Sequence, residues 1–128
     1  MDMVAVVTVL ALLQFTWFGI QVGSLRAKHE IKATAMFGQT EFDRMYRVHY
    51  NTMEQLVVFL PALWLYAHMV NPTWGAGLGV VYLIGRFIYR AAYLKDPAGR
   101  STGFTLSFLP SAVMLIWVLV VAVLKFIN

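Results

Sequence analysis

Arg47, Asn51 and Glu54 are spaced i, i+4, i+7, which stacks them along one face of a helix. They stand at the head of an apolar run, since no Asp, Glu, Lys or Arg falls between Gln55 and Gly85. Ionisable side chains at such a depth are costly. They are tolerated where they face a bundle interior or a polar ligand, so the stripe is a functional-site hypothesis. Arg86, Tyr89 and Tyr93 make a second stripe at i, i+3, i+7, and Arg26 and Arg100 fall at the same end of the apolar segments. The set holds four arginines against one carboxylate, Glu54. Guanidinium groups clamp carboxylates bidentately, and more strongly where water is scarce. Glu54 can hold an ammonium or a backbone N–H, and the tyrosines add hydroxyls on an apolar body. The inventory fits a small ligand with about two carboxylates and one amine. Two plainer readings compete: Arg47 snorkelling to headgroups, and Glu54 pairing with Arg86 to brace two helices. Three polar residues on one face, with a second stripe to match, favour the ligand. His49, off the Arg47 face, is carried as an additional ligand contact.

The elements that must position these residues follow from composition. Of 128 residues, 60% are hydrophobic and 12% charged, about half the usual charged share of a soluble domain. Met3–Leu25 and Ser101–Leu124 contain no Asp, Glu, Lys or Arg, and each fits one membrane-spanning helix of about 20 residues. The charge-free run Gln55–Gly85 is too long for one span and is interrupted at Asn71-Pro72, where a helix must stop. The chain is thus expected to be one all-α domain over residues 1–128, an integral membrane four-helix bundle. The predicted helices are approximately 3–28, 41–70, 74–94 and 102–126, with kinks at Pro61 and Pro110. Gln14 and Gln21, seven apart, suit contacts between helices. Tyr66, Tyr82 and Phe87 read as lipid- or interface-facing aromatics.

The composition also excludes chemistry. Without cysteine there is no disulfide, thiolate metal site or cysteine nucleophile, so any thiol must come with the substrate. No metal is expected. The net charge of +4 is too diffuse for nucleic-acid binding. Asp2 precedes the first span and no Lys or Arg does, which argues against a signal peptide. Arg26, Lys28, Lys32, Arg44 and Arg47 flank the first loop, and Arg90, Lys95 and Arg100 the third, whereas the turn at Asn71 has no cation. The basic loops are therefore expected in the cytoplasm and both termini on the opposite side, in a bacterial inner membrane or an endoplasmic reticulum.

Two motifs carry a resemblance. The run Glu41-Phe42-Asp43-Arg44-Met45-Tyr46-Arg47-Val48-His49-Tyr50-Asn51-Thr52-Met53-Glu54 resembles the signature E-R-x-x-R-A-x-x-N-x-x-E of the MAPEG family, the membrane-associated proteins of eicosanoid and glutathione metabolism. Asp43 stands at its acidic position and Val48 in place of its alanine. Tyr82-Leu83-Ile84-Gly85-Arg86-Phe87-Ile88-Tyr89, continued by Tyr93 and Arg100, is similar to the family's third-helix pattern. The chain departs from the family's glutathione-binding residues at His49 and Gln55. The resemblance implies a homotrimer with glutathione bound between neighbours. It implies that Arg47, Asn51, Glu54, Arg86, Tyr89 and Tyr93 bind glutathione, that Arg26 joins from helix one, and that Arg100 activates the thiol. Glutathione has two carboxylates, one ammonium and one thiol, the inventory inferred above. The implied activity is glutathione transfer to lipophilic electrophiles, with reduction of lipid hydroperoxides as a second use. A non-enzymatic lipid-binding scaffold, also found in the family, is the alternative. A four-helix proton-coupled exporter needs an intramembrane acid in its first helix, and Met3–Leu25 has none.

Overall fold

The computed structural model describes all residues, Met1 to Asn128. It contains four helices: α1 Asp2–Lys28, α2 Thr40–Met69, α3 Pro72–Lys95 and α4 Ser101–Ile127, with a short 3-10 turn at Pro97–Gly99. There are no strands. The boundaries have local causes. Gln39 caps α2 by accepting from Phe42 N at 2.9 Å, and Asp43 reaches back to accept from Gly38 N at 3.0 Å. Asn71 caps α3 by accepting from Thr73 N at 2.8 Å and Trp74 N at 3.1 Å, with Pro72 at the first position, where its missing N–H costs nothing. The cap starts α3 two residues before the Trp74 expected from sequence. Arg44 closes the other end of α3, donating from Nη1 to the carbonyls of Leu94 and Lys95 at 3.0 Å each. Both α2 and α4 remain helical through Pro61 and Pro110.

α2 and α3 pack on each other, and α1 and α4 each pack on both. The core is divided. One apolar cluster, near the α2–α3 turn, contains Val4, Val7, Phe59, Leu63, Tyr66, Tyr82 and Met114. The other, near the loops, contains Phe18, Val22, Phe42, Met45, Val48 and Tyr89. Between them every helix contributes buried polar residues: Gln14, Asn51 with Thr52, Arg86, and Ser107. Two expectations are corrected. Tyr82 is fully buried, stacked on Phe59 at 3.8 Å, and Tyr66 is buried edge-on to Trp117 at 6.2 Å. Neither faces lipid, although Phe87 is exposed.

α1, and α4 with the turn before it, are long and apolar enough to cross a membrane, with mean hydropathy of 2.1 and 2.5. Only 28% of each apolar window is buried, so these are not core helices of a soluble domain. Their large side chains, among them Leu13, Ile20, Ile116 and Leu119, lie on the outside of the bundle. Such a continuous apolar exterior needs a lipid surround.

α3 and α4 approach through glycine. A Cβ at Gly85 would stand 2.7 Å from Ser107 N, and a Cβ at Gly103 would collide with the Tyr89 backbone. Small residues permit this closeness where helices pack in lipid. Gly103→Ala should therefore lower the thermal midpoint of the detergent-solubilised protein, with a cost of about 1–3 kcal/mol from overpacking. Gly77→Ala, whose added Cβ meets nothing, should not lower it. Equal midpoints for Gly103→Ala and the parent would contradict this packing.

Candidate functional site

Arg86 is 0% exposed. Its Nη1 donates to Ser107 Oγ at 3.0 Å, and its Nη2 donates to Asn51 Oδ1 at 2.9 Å and Thr52 Oγ1 at 3.0 Å. The guanidinium also lies over the Tyr89 ring, 4.3 Å from its centroid. One side chain thus ties α2, α3 and α4 together. Its partners are neutral oxygens. The sequence-level brace between Glu54 and Arg86 does not form.

Asn51 carries the arrangement outward. Its Nδ2 faces Glu54 Oε1 at 3.5 Å, and Glu54 in turn meets Arg47 Nη1 at 3.9 Å. Arg47 and Glu54 are about half exposed, so they form the open rim above a buried base. This pair is too long and too wet to contribute much stability. Arg47 also reaches over the Tyr50 ring, 5.9 Å from its centroid.

Tyr89 is buried and stacks on Tyr93 at 5.5 Å. Arg86 thus joins the two stripes, reaching Asn51 on α2 and lying over Tyr89 on its own helix. Arg100 is exposed at the start of α4 and donates from Nη1 to the Pro97 carbonyl at 2.9 Å.

Two residues lie elsewhere within the single chain. Arg26 donates from Nη1 to the carbonyls of Lys32 and Ala35 and lies over the Phe42 ring, 4.8 Å from its centroid, so it holds the first loop. His49 turns towards α1, stacked on Phe15 at 4.5 Å and close against Gly19. Thr52 and Ser107 join the polar base without having been read from sequence. A threonine beside Asn51 and a serine four residues after Gly103 were the available signals. Ser107 Oγ also donates to the Gly103 carbonyl at 2.9 Å, so the glycine contact and the arginine contact meet at one hydroxyl. No cluster of three or more His, Cys, Asp or Glu is placed to hold a metal.

The result is a helical membrane bundle with a half-exposed charged face built on a buried arginine. The chain belongs to the MAPEG family, whose model it matches over residues 4–120. It is 41% identical over 112 residues to an uncharacterised protein of Synechocystis sp., covering 88% of this chain and 82% of that one. It is 34% identical over 105 residues to human microsomal glutathione S-transferase 2, covering 82% and 71%. Leukotriene C4 synthase of Cavia porcellus is 31% identical over 117 residues, covering 91% and 75%.

Replacing Arg86 by alanine leaves Asn51 Oδ1 without a donor, deprives Thr52 and Ser107 of one bond each and opens a cavity at a fully buried position. Each unsatisfied buried group costs about 1–3 kcal/mol. Arg86→Ala should therefore lower the thermal midpoint more than Ser107→Ala, which removes a single partner. An Arg86→Ala protein as stable as the parent would show that the layer contributes no stability.

Proposed function

We propose that this protein is a membrane glutathione transferase that activates the glutathione thiol for attack on lipophilic electrophiles, and that it also reduces lipid hydroperoxides. The observation that carries the reading is the run of contacts from the buried Arg86 through Asn51 to the half-exposed Glu54 and Arg47, with the Tyr89–Tyr93 stack against the same guanidinium. Similarity to glutathione transferases and leukotriene C4 synthases supports it.

In this reading Arg47 receives a glutathione carboxylate, Glu54 the γ-glutamyl ammonium, and Asn51, Tyr89 and Tyr93 the peptide and the region of the sulfur. Arg86 acts from beneath by fixing Asn51 and Tyr89. Arg100 faces the sulfur. A free thiol has a pKa of about 8.5, so most of it is protonated at neutral pH. A guanidinium beside the sulfur stabilises the thiolate, and about 1.4 kcal/mol of such stabilisation shifts the pKa by one unit. The proton leaves to water at the open rim. With a chloronitrobenzene, the thiolate sulfur bonds to the ring carbon and chloride departs. With a hydroperoxide, the thiolate attacks the terminal oxygen, the O–O bond breaks, and the lipid leaves as an alkoxide that takes a proton from water to become its alcohol. The thiol of a second glutathione then displaces water from the resulting sulfenic acid to give the disulfide.

The site is proposed to be completed by a second copy in a homotrimer. Arg47 and Glu54 lie on the outside of one chain, where a charged tripeptide lacks an enclosing wall. A ring of three copies supplies one at each interface. Arg26 and His49, both on the α1 side of the chain, then reach the neighbour's site. Four spans are proposed, with the basic loops in the cytoplasm and both termini across the membrane.

The deciding experiment measures glutathione-dependent turnover of purified protein with a chloronitrobenzene and with a lipid hydroperoxide. Turnover with either supports the enzyme. Binding without turnover would favour a lipid-binding scaffold. Arg100→Ala should lower kcat by about tenfold or more, as expected for loss of one electrostatic stabiliser, while glutathione affinity changes less. Arg47→Ala and Glu54→Ala should assemble normally yet bind glutathione about tenfold more weakly or worse. Wild-type kcat in Arg100→Ala would refute the assignment of that residue.

Sharing between subunits has its own test. Oligomers mixed from Arg26→Ala and Arg100→Ala chains should be more active than the sum of the two parents, because some interfaces then carry both arginines. Activity no higher than the sum of the two parents would place both within one chain.

A further inference from the structure

A second polar cavity opens at the basic end of the bundle. It has a volume of about 560 Å³ and lies between the last turns of α1, the first turns of α2 and the last turns of α3. Gln21, Ser24, Gln39, Glu41, Arg44 and Arg90 supply most of its polar lining. Arg90 lies in α3, as the sequence predicts, and is turned against α1. Its Nε donates to Gln21 Oε1 at 2.8 Å, and its guanidinium lies over the Trp17 ring, 5.0 Å from the centroid. These contacts fix the fork and leave its Nη groups free to donate. Arg44 spends one nitrogen on the end of α3 and keeps the rest of its guanidinium.

The one acid in the lining is already answered. Glu41 lies 3.6 Å from Lys28 Nζ and 3.2 Å from His29 Nε2. The hydrogen bond from His29 and the charge of Lys28 hold its carboxyl below the usual carboxylate range. The cavity therefore offers two anchored guanidinium groups and a compensated carboxylate, which is a setting for an anion with several acceptor oxygens.

Along the same α1–α3 seam the character changes. Trp17 and Phe87, both exposed, meet at 6.1 Å. Further on, Val6, Leu10, Ala76 and Val80 line an apolar groove of about 550 Å³. From Arg90 to Val80 the helix rises about 15 Å at 1.5 Å per residue. That is half of the roughly 30 Å hydrocarbon thickness of a bilayer, the depth of one leaflet. A charged pocket at the headgroup level, continued by a leaflet-long apolar seam, has the polarity profile of a phospholipid. Basic pockets between helices at the cytoplasmic surface hold acidic headgroups in this way.

We propose that the α1–α3 seam is a binding site for an anionic phospholipid. Its phosphate sits between Arg90 and Arg44, and one acyl chain runs past Trp17 and Phe87 towards Val80. None of the residues lining this pocket is among those assigned to glutathione.

The test is native mass spectrometry of the detergent-purified protein with equimolar phosphatidylglycerol and phosphatidylcholine. The parent should retain phosphatidylglycerol about tenfold over phosphatidylcholine, the scale of one charge-assisted contact. Arg90→Gln should abolish most of that preference, whereas Lys125→Gln, near the far end of α4, should keep it. Arg90→Lys preserves the charge without the planar fork and should show a reduced preference, which serves if Arg90→Gln does not fold. Excess inorganic phosphate should leave the parent's preference intact. A parent without preference, an undiminished preference in Arg90→Gln or Arg90→Lys, or its erasure by inorganic phosphate would overturn the proposal. The last outcome would identify a free-anion site.

Discussion

A guanidinium buried without a carboxylate is the constraint on which the rest of this bundle depends. Arg86 lies about 14 Å from the end of α3 at 1.5 Å per residue, inside the apolar part of the structure. A charge at that depth is tolerated only if oxygen atoms surround it. α2 supplies two of them through Asn51 and Thr52, and α4 supplies one through Ser107. The Ser107 contact requires α4 to lie very close to α3, and only glycine at positions 85 and 103 leaves room. The apolar clusters on either side are consequences of the same layer. Gln14 completes it from α1 by donating to the Leu83 carbonyl at 3.0 Å.

The layer also determines what the exposed face can do. Asn51 accepts from Arg86 with its oxygen and faces Glu54 with its amide nitrogen. Its amide therefore cannot flip without breaking the buried bond. Tyr89 is held from one side by the Arg86 guanidinium and from the other by the Tyr93 ring. The charged rim is thus half open to water while its base is buried and hydrogen-bonded. This division suits a ligand whose ends are charged and whose reacting atom must be held still.

Much of this was legible in the sequence. Charge-free stretches, broken at Asn71-Pro72, revealed four helices, and the i, i+4, i+7 spacing revealed the Arg47 face. Gln14 and Gln21 read correctly as contacts between helices. The rest depended on packing that a single sequence does not display. Tyr66 and Tyr82 look like interface aromatics because nothing local distinguishes a buried tyrosine from a lipid-facing one. Their stacking partners, Phe59 and Trp117, lie on other helices. Thr52 and Ser107 were invisible for a similar reason, since a lone hydroxyl in an apolar helix is satisfied by its own backbone as readily as by an arginine. The partners of Arg26 and Arg90 were equally hidden, since one binds carbonyls of the first loop and the other crosses to α1.

The central claim is that the arginine-rich face holds glutathione with its sulfur as a thiolate. Ultraviolet difference absorbance of the purified protein, titrated with glutathione at neutral pH, reads this state without any second substrate. The thiolate band should rise to a plateau as the sites fill. The plateau should be strongly reduced in Arg100→Ala at glutathione concentrations that saturate its binding. Saturable glutathione binding with no thiolate band in the parent would contradict the account.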